Sequence, residues 1–217
     1  TESELAKTDT PAALAKAEAA RRKALVPAAI KSRRARRLLA AADSYIVARG
    51  AGRSIIAGYP WFADWGRDTF LALRGLCLAT GRLDDARAIL LEWTRHASEG
   101  LMPNCFLDDR VEPFHNSVDA ALWFIIAADD YLARTDHTDL AVLWPTIAAI
   151  LAAYHQGTRF GIRCDADGLL FAGEKNANLT WMDAATPRMG KAVEVQALWL
   201  NALAVASRLA KAGRIKP

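Results

Sequence analysis

The sequence places two Trp, two Asp and one Arg within eight residues, inside the segment 59–69. Sugar binding needs this mixture, because the C–H faces of a sugar stack on indole rings while its hydroxyls bond planar carboxylate and guanidinium groups. We therefore predict a sugar-binding cluster formed by Trp61, Asp64, Trp65, Arg67 and Asp68. The structural alternative is that Asp64 caps a helix, Asp68 complements the helix dipole and both indoles lie in the core.

A second cluster comprises Asn116, Asp119 and Trp123. Asn116 and Asp119 have the spacing of a capping box, so a structural role would explain both. Trp123 lies one helical turn beyond Asp119 and shares its face. Because this cluster also precedes a predicted helix, we expect its side chains to line the same pocket as the first cluster.

The third cluster surrounds Asp183, which directly follows Trp181 and Met182 in a predicted loop. An apolar wall raises the pKa of a carboxyl group and suits a general acid. We therefore predict that Asp183 is catalytic and that Trp181 contacts the substrate. The structural alternative is that Asp183 is only a turn residue. The far wall of the pocket is predicted to contain Arg188, Lys191 and Glu194.

Helical periodicity dominates the elements that must position these clusters. Apolar spacing and end signals predict helices at 11–24, 28–48, 64–80, 82–98, 117–134, 138–156 and 192–212. An irregular loop is predicted at 101–113, a short strand or extended segment at 54–58, and a small β-hairpin near 158–173.

The spacing of the clusters predicts an architecture. The intervals between Asp64, Asp119 and Asp183 are 55 and 64 residues, and each holds two predicted helices and a loop. Such an array of helical hairpins predicts an all-α fold, an (α/α)6 barrel, with the three aspartates opening toward one concavity at a rim. A closed ring of six hairpins needs roughly 330–390 residues. We therefore expect about the first half of the barrel, as a fragment of a longer polypeptide truncated at its C-terminus.

The composition excludes several classes of protein. The 53% hydrophobic and 24% charged content of the 217 residues is typical of a globular protein. No run approaches the roughly 20 apolar residues of a membrane span, and the N-terminus lacks a signal-peptide pattern, so we expect neither membrane association nor secretion. The Cys and His spacings match no metal site or disulfide framework, and no P-loop or GxGxxG occurs. We therefore expect no metal and no cofactor.

The positive charge belongs to one part of the chain. The net charge is +6 over residues 1–40 and −2 over the remainder, within a total of +4. We predict residues 1–50 to be a basic, helical lead-in segment and residues 51–217 to be the barrel portion. Few aromatic residues interleave with the basic ones, so a solvated face or a face on an acidic protein is favoured over a nucleic-acid site.

From Ile55 to Ser207 the sequence resembles the C-terminal α-1,6-glucosidase domain of glycogen debranching enzymes. The matching stretches are 56–69, 100–104, 116–123, 165–169, 179–184 and 191–199. The resemblance implies an (α/α)6 barrel that hydrolyses α-1,6-linked glucose at glycogen or limit-dextrin branch points, in the cytoplasm, by an inverting acid/base mechanism. It assigns the general acid to Asp183. The general base is a downstream Glu with no counterpart in this chain, so we expect the fragment alone to be inactive.

Two alternatives remain open. The first is another α/α-barrel glycosidase or a phosphorylase, which phosphate dependence would distinguish. The second is a non-catalytic glucan-binding fragment, whose signature is binding without turnover. The expected partners are glycogen or a branched α-glucan and the remainder of the same polypeptide.

Overall fold

The computed structural model describes residues 10–107, 112–174 and 177–213. The first nine residues of the predicted lead-in segment and the middle of the predicted 101–113 loop lie outside the described residues. The chain divides into two compact units between Tyr45 and Ile46.

The first unit contains two helices, α1 (Pro11–Ala24) and α2 (Arg33–Asp43). The side-chain oxygen of Thr10 caps α1 by accepting a hydrogen bond from the Ala13 amide, and Ser32 caps α2 in the same way. The Arg21 guanidinium pairs with the Asp43 carboxylate at 2.5 Å. Helix α2 thus begins later and ends earlier than the helix that the apolar spacing predicted over 28–48.

The second unit opens with a β-hairpin where the helix was predicted to continue. Strand β1 (Ile46–Arg49) pairs antiparallel with β2 (Gly52–Ile55), and Ile46 lies opposite Ile55. Gly50 has a left-handed φ of +54°, which turns the chain. A Cβ at Gly52 would lie 2.5 Å from a carboxylate oxygen of Glu92, so that side chain closes over the turn. The helical prediction for 46–48 is wrong, because pairing with β2 and packing of the turn against Glu92 hold these residues in an extended strand.

Five further helices follow, close to their predicted positions but shorter at their ends. They are α3 (Gly66–Leu73), extended by a π-helical turn (Arg74–Leu78), α4 (Leu83–Thr94), α5 (Asp119–Leu132), α6 (Leu140–Gln156) and α7 (Val193–Ala212). The predicted hairpin is confirmed as β3 (Arg163–Cys164) and β4 (Leu170–Phe171). The described residues are thus mostly helical, with two small antiparallel hairpins.

Helix α5 forms the centre of the second unit. Almost all its residues are buried, and it packs against α3 on one side and α7 on the other. Edge-to-face aromatic contacts join its Phe124 to Phe70 at 5.3 Å and Phe70 to Trp93 at 5.1 Å. This packing fixes the amino-terminal ends of α3 and α5, where the first two clusters lie. Over the described ranges, no helix has the length and apolar character that crossing a bilayer requires.

Candidate functional site

The start of α3 is held by a close backbone approach. The Gly66 amide donates a 2.8 Å hydrogen bond to the Asn104 carbonyl. A Cβ at Gly66 would lie 2.3 Å from the Pro103 carbonyl oxygen and 2.9 Å from the Ala120 Cβ. Only glycine therefore fits at this position, and the contact sets the first turn of α3 directly against the start of α5.

That approach joins the first two clusters through an ion pair. The Arg67 guanidinium donates a 2.7 Å hydrogen bond to Asp119 Oδ2, and Asp119 is 2% exposed. The Ser117 hydroxyl donates to Asp119 Oδ1 and accepts a hydrogen bond from the Ala120 amide. The N-cap position of α5 is Val118, and the Ser117 hydroxyl, rather than the predicted Asn116–Asp119 capping box, binds an amide of its first turn. The Asp119 carboxylate instead accepts from Arg67.

Asn116 joins the second cluster to the third. Its side-chain amide accepts a hydrogen bond from Asn104 and donates one to the Asn178 carbonyl, both at 3.3 Å. The Val118 amide donates a 2.9 Å bond to the Leu179 carbonyl. The loop that carries Asp183 is therefore docked on the start of α5, and all three clusters meet in one region.

Asp183 forms the centre of a hydrogen-bonded turn. Its Oδ2 accepts from the Leu179 and Thr180 amides at 2.7 and 2.8 Å. Its Oδ1 accepts from the Thr180 hydroxyl at 2.5 Å and the Arg188 amide at 3.2 Å. Burial raises the pKa of the Asp183 carboxyl, but the bonds from Thr180, Leu179 and Arg188 together lower it below its ordinary value. The raised pKa predicted for Asp183 is wrong for the protein without substrate. The prediction considered only the apolar neighbours in sequence, whereas the folded turn brings four hydrogen-bond donors to the carboxylate.

Glu194 lies at the start of α7 and pairs with Arg188. The Arg188 guanidinium also donates a 2.9 Å bond to the Thr180 hydroxyl and lies 5.9 Å from the Trp181 ring centre. Burial raises the pKa of the Glu194 carboxyl, while the Arg188 bond and other contacts lower it, and the net effect is a lowered pKa. Arg188 thus links the Asp183 turn to Glu194.

Side chains from all three clusters line one cavity, of about 540 Å³, which we call the central pocket. Its lining residues are Arg67, Leu71, Asp119, Trp123, Trp181, Glu194, Ala197 and Leu198. Two indoles, two carboxylates and a guanidinium therefore share one concave surface, and the volume lies within the range of about 300–1,000 Å³ usual for small-molecule sites. Within the described ranges, no three or more His, Cys, Asp or Glu side chains are grouped so that they could hold a metal ion.

Of the three aspartates expected to share this concavity, Asp119 lines it and the other two do not. Asp64 is 2% exposed and forms a two-armed ion pair with Arg49 on β1. The N-cap position of α3 belongs to Trp65, so Asp64 is not the cap either. Asp183 is enclosed by its own turn. Both carboxylates already accept hydrogen bonds from groups close to them in the fold, Asp64 from Arg49 and Asp183 from residues of its own turn.

Other predicted site residues lie elsewhere. Trp61 and Trp65 line a separate cavity of about 550 Å³, the aromatic cleft, formed by β1, residues 56 and 59–65, and Leu107. Asp68 is exposed in the first turn of α3, where its charge complements the helix dipole, and it lines neither cavity. Lys191 pairs with Asp165 at 3.0 Å and Asp167 at 2.6 Å, next to the second hairpin.

Three apolar residues of the central pocket were not predicted from the sequence. Leu71 lies one turn beyond Arg67 on α3, and Ala197 and Leu198 lie one turn beyond Glu194 on α7. Helical spacing from a polar site residue is the signal that would have identified them. They supply the apolar floor of the pocket.

Comparisons with known proteins find matches to the part of the chain that contains the central pocket. A family model described as amylo-alpha-1,6-glucosidase matches residues 40–216. The glycogen debranching enzyme of Saccharomyces cerevisiae is 43% identical over 84 residues. That alignment covers 36% of this chain and 5% of the yeast protein, so the chain spans a small part of that relative.

Proposed function

Since the chain belongs to the amylo-alpha-1,6-glucosidase family, we propose that it is part of a cytoplasmic enzyme that hydrolyses α-1,6-linked glucose at the branch points of glycogen or limit dextrin. The observation that carries the proposal is the central pocket, whose lining combines the two indoles of Trp123 and Trp181 with a mixed set of charged groups. Nothing in the proposal requires a metal or a cofactor. The larger architecture in the proposal is an (α/α)6 barrel, of which these helices form about half.

The pocket has the chemistry to hold one terminal glucosyl unit. Indole faces pack against the C–H faces of a pyranose ring, and carboxylates accept hydrogen bonds from its hydroxyls. The ion pair with Arg67 holds the Asp119 carboxylate in one orientation, which reduces the entropy lost when the sugar binds. Trp181, which is 57% exposed, forms the more accessible wall.

Hydrolysis with inversion needs an acid and a base on opposite sides of the scissile bond. In the proposal Asp183 is the general acid, as the resemblance implies, and the base is a residue outside these 217 positions. Asp183 must then exchange some of its four hydrogen bonds for the glycosidic oxygen, so the 179–188 turn has to open on substrate binding. Losing donors while staying buried would raise the pKa of the carboxyl toward the value an acid requires.

Glu194 is the alternative acid, and a specific observation favours it. Its side chain lines the central pocket, whereas that of Asp183 does not. The lowered pKa of the Glu194 carboxyl opposes the role in the unliganded state, as it does for Asp183.

Product analysis tests the proposed activity. The full-length enzyme that contains this chain is incubated with phosphorylase limit dextrin, with and without inorganic phosphate. We expect free glucose in both cases, because water is the acceptor. Phosphate-dependent release of glucose 1-phosphate would instead identify a phosphorylase, and binding of the dextrin without any product would identify a glucan-binding module.

A further inference from the structure

The Thr180 hydroxyl differs in kind from the other groups that bind the Asp183 carboxylate. The donors from Leu179, Arg188 and the Thr180 main chain are backbone amides, whose directions the chain fixes. The Thr180 hydroxyl is the fourth donor, 2.5 Å from Oδ1, and it can rotate about its C–O bond. A hydroxyl donates one hydrogen bond and accepts two, whereas an amide N–H only donates. The hydroxyl is therefore the member of this set that can either donate to Asp183 or accept from it.

This difference decides which oxygen of Asp183 can carry a proton. Both lone pairs of Oδ2 accept from amides, so a proton there would break one of these bonds and leave a buried N–H unpaired. Oδ1 accepts from the Thr180 hydroxyl and from the Arg188 amide at 3.2 Å. If the hydroxyl rotates, a proton on Oδ1 points at the Thr180 oxygen, and the Arg188 amide keeps its acceptor. All three amide bonds therefore survive protonation at Oδ1 and not at Oδ2.

The Thr180 oxygen is also held from its other side. The Arg188 guanidinium donates a 2.9 Å hydrogen bond to it, and Thr180 is 8% exposed. One lone pair of the hydroxyl thus binds Arg188, and the second is left for a proton on Asp183. Burial raises the pKa of the Asp183 carboxyl, and the bond from the Thr180 hydroxyl is the largest of the effects that lower it.

The charged groups that the neighbouring helices bring to this turn are paired with one another. Glu194 at the start of α7 pairs with Arg188. Asp119 at the start of α5 pairs with Arg67. Because each pair is neutral as a whole, burial and the hydrogen bonds of the turn govern the protonation of Asp183.

We propose that Thr180 is a positioning residue for Asp183, whose hydroxyl donates to the ionised carboxylate and rotates to accept the hydrogen bond of a proton on Oδ1. The proposal rests on the proposed function, in which Asp183 is the general acid. When the turn opens, the proton on Oδ1 turns from the Thr180 oxygen to the leaving glycosidic oxygen.

The transfer is balanced at the reacting atoms. The Oδ1–H bond breaks, its electron pair stays on the carboxylate, and the proton forms an O–H bond with the glycosidic oxygen. The bond between that oxygen and the glucosyl carbon breaks as water attacks the carbon and gives a proton to the base. The Thr180 hydroxyl then rotates back and donates to Oδ1.

The test compares Thr180→Val and Thr180→Ser in the full-length enzyme. Valine keeps the shape of the side chain without the hydroxyl, and serine keeps the hydroxyl. The kcat on limit dextrin is measured against pH, because its alkaline limb reports the acid in the enzyme–substrate complex. A hydrogen bond to a carboxylate is stronger than one to a neutral acid, so its loss in Thr180→Val should move this limb to higher pH by about one unit. Thr180→Ser should restore the wild-type limb.

Thr69→Val is the matched control. Thr69 is fully buried, and its hydroxyl donates to the Ile55 carbonyl at 3.2 Å rather than to a carboxylate. This variant should leave the limb in place. A limb that does not move in Thr180→Val overturns the proposal, and so does a movement that serine fails to reverse.

Urea unfolding separates this proposal from the proposed function, since it needs no substrate. The stability lost in Thr180→Val should be present at pH 7 and shrink below pH 4, as the carboxyl takes up a proton, whereas the loss in Thr69→Val should stay constant. If limit dextrin yields no glucose but this contrast is found, Thr180 controls the protonation of Asp183 and the proposed function fails. An equal loss at pH 7 and pH 3 in Thr180→Val overturns the proposal.

Discussion

The Arg67 guanidinium and the Asp119 carboxylate form a hydrogen-bonded ion pair between the first turns of α3 and α5, across 52 positions of sequence. The Asp119 side chain is 3% exposed and that of Arg67 is 22% exposed. The same two residues line the central pocket. One contact therefore both joins two helices and places an ion pair in the wall of the central pocket.

Asp119→Asn should reduce both stability and glucan binding. The amide keeps the size of the side chain but has one acceptor oxygen and no charge, so it cannot accept from both Arg67 and Ser117 and leaves the guanidinium without its counter-charge. Urea unfolding should show a loss of about 2–3 kcal/mol. As a control, Arg208→Ala breaks an exposed pair with Asp129 and should cost no more than about 1 kcal/mol. Equal effects of the two variants would show that the Arg67–Asp119 pair has no special structural role.

The hydrogen-bonded turn of Asp183 makes a prediction about pH. The pKa of the carboxyl is lowered from its ordinary value of 3.8. A lowered pKa means that ionised Asp183 stabilises the fold above the unfolded value, and that this contribution is lost as the pH falls through the folded value. Asp183→Asn should therefore destabilise the protein at pH 7, and its difference from wild type should shrink below pH 4. Thermal unfolding at several pH values measures this, and a difference that stays constant from pH 7 to pH 3 contradicts it.

Gly66→Ala tests the close approach at the start of α3. The added methyl group would meet the Pro103 carbonyl oxygen, which is backbone and cannot turn aside. We expect a loss of about 3 kcal/mol or more in the free energy of unfolding. Gly75→Ala is the matched control, since no heavy atom outside its own helical backbone and chain neighbours lies within 4 Å of the added Cβ. That change should be neutral or stabilising by about 0.5–1 kcal/mol. Similar stabilities for the two variants would refute the packing argument.

Gln196→Ala tests how α7 holds the second hairpin. The Gln196 side chain accepts from the Leu170 amide at 2.8 Å and donates to the Leu170 carbonyl at 2.9 Å. Its removal leaves both buried groups without these bonds, at about 1–3 kcal/mol each. Hydrogen exchange of the Leu170 amide should accelerate. Gln156→Ala, at the exposed end of α6, should leave that exchange rate unchanged.

Helix positions could be predicted from the sequence because apolar spacing directly reflects burial on one face. The first hairpin was missed because the spacing of residues such as Tyr45 and Ala48 also fits a helix. The closure of Glu92 over Gly52, 40 positions away, is invisible to a local pattern.

The sequence indicated which clusters would come together more accurately than which carboxylates would line the pocket. Arg67, Asp119 and Glu194 meet in the central pocket, as their helix-start positions indicated, and Trp123 and Trp181 join them there. Asp64 and Asp183 look equally suited to a site in the sequence. Their donors, Arg49 in one case and the turn residues 179, 180 and 188 in the other, become apparent only when the chain is folded.

The central claim is that the central pocket holds an α-1,6-linked glucose for acid-catalysed hydrolysis by Asp183. The most direct measurement is the turnover of limit dextrin and of α-glucosyl fluoride by the full-length enzyme carrying Asp183→Asn, with Glu194→Gln beside it. We expect kcat for Asp183→Asn on limit dextrin to fall about 10²–10⁴-fold, the usual contribution of a general acid. Turnover of the fluoride should largely survive, because fluoride leaves without a proton, and Glu194→Gln should mainly raise KM. Near-normal dextrin turnover by Asp183→Asn, with a loss rescued by fluoride in Glu194→Gln, would contradict the assignment and make Glu194 the acid.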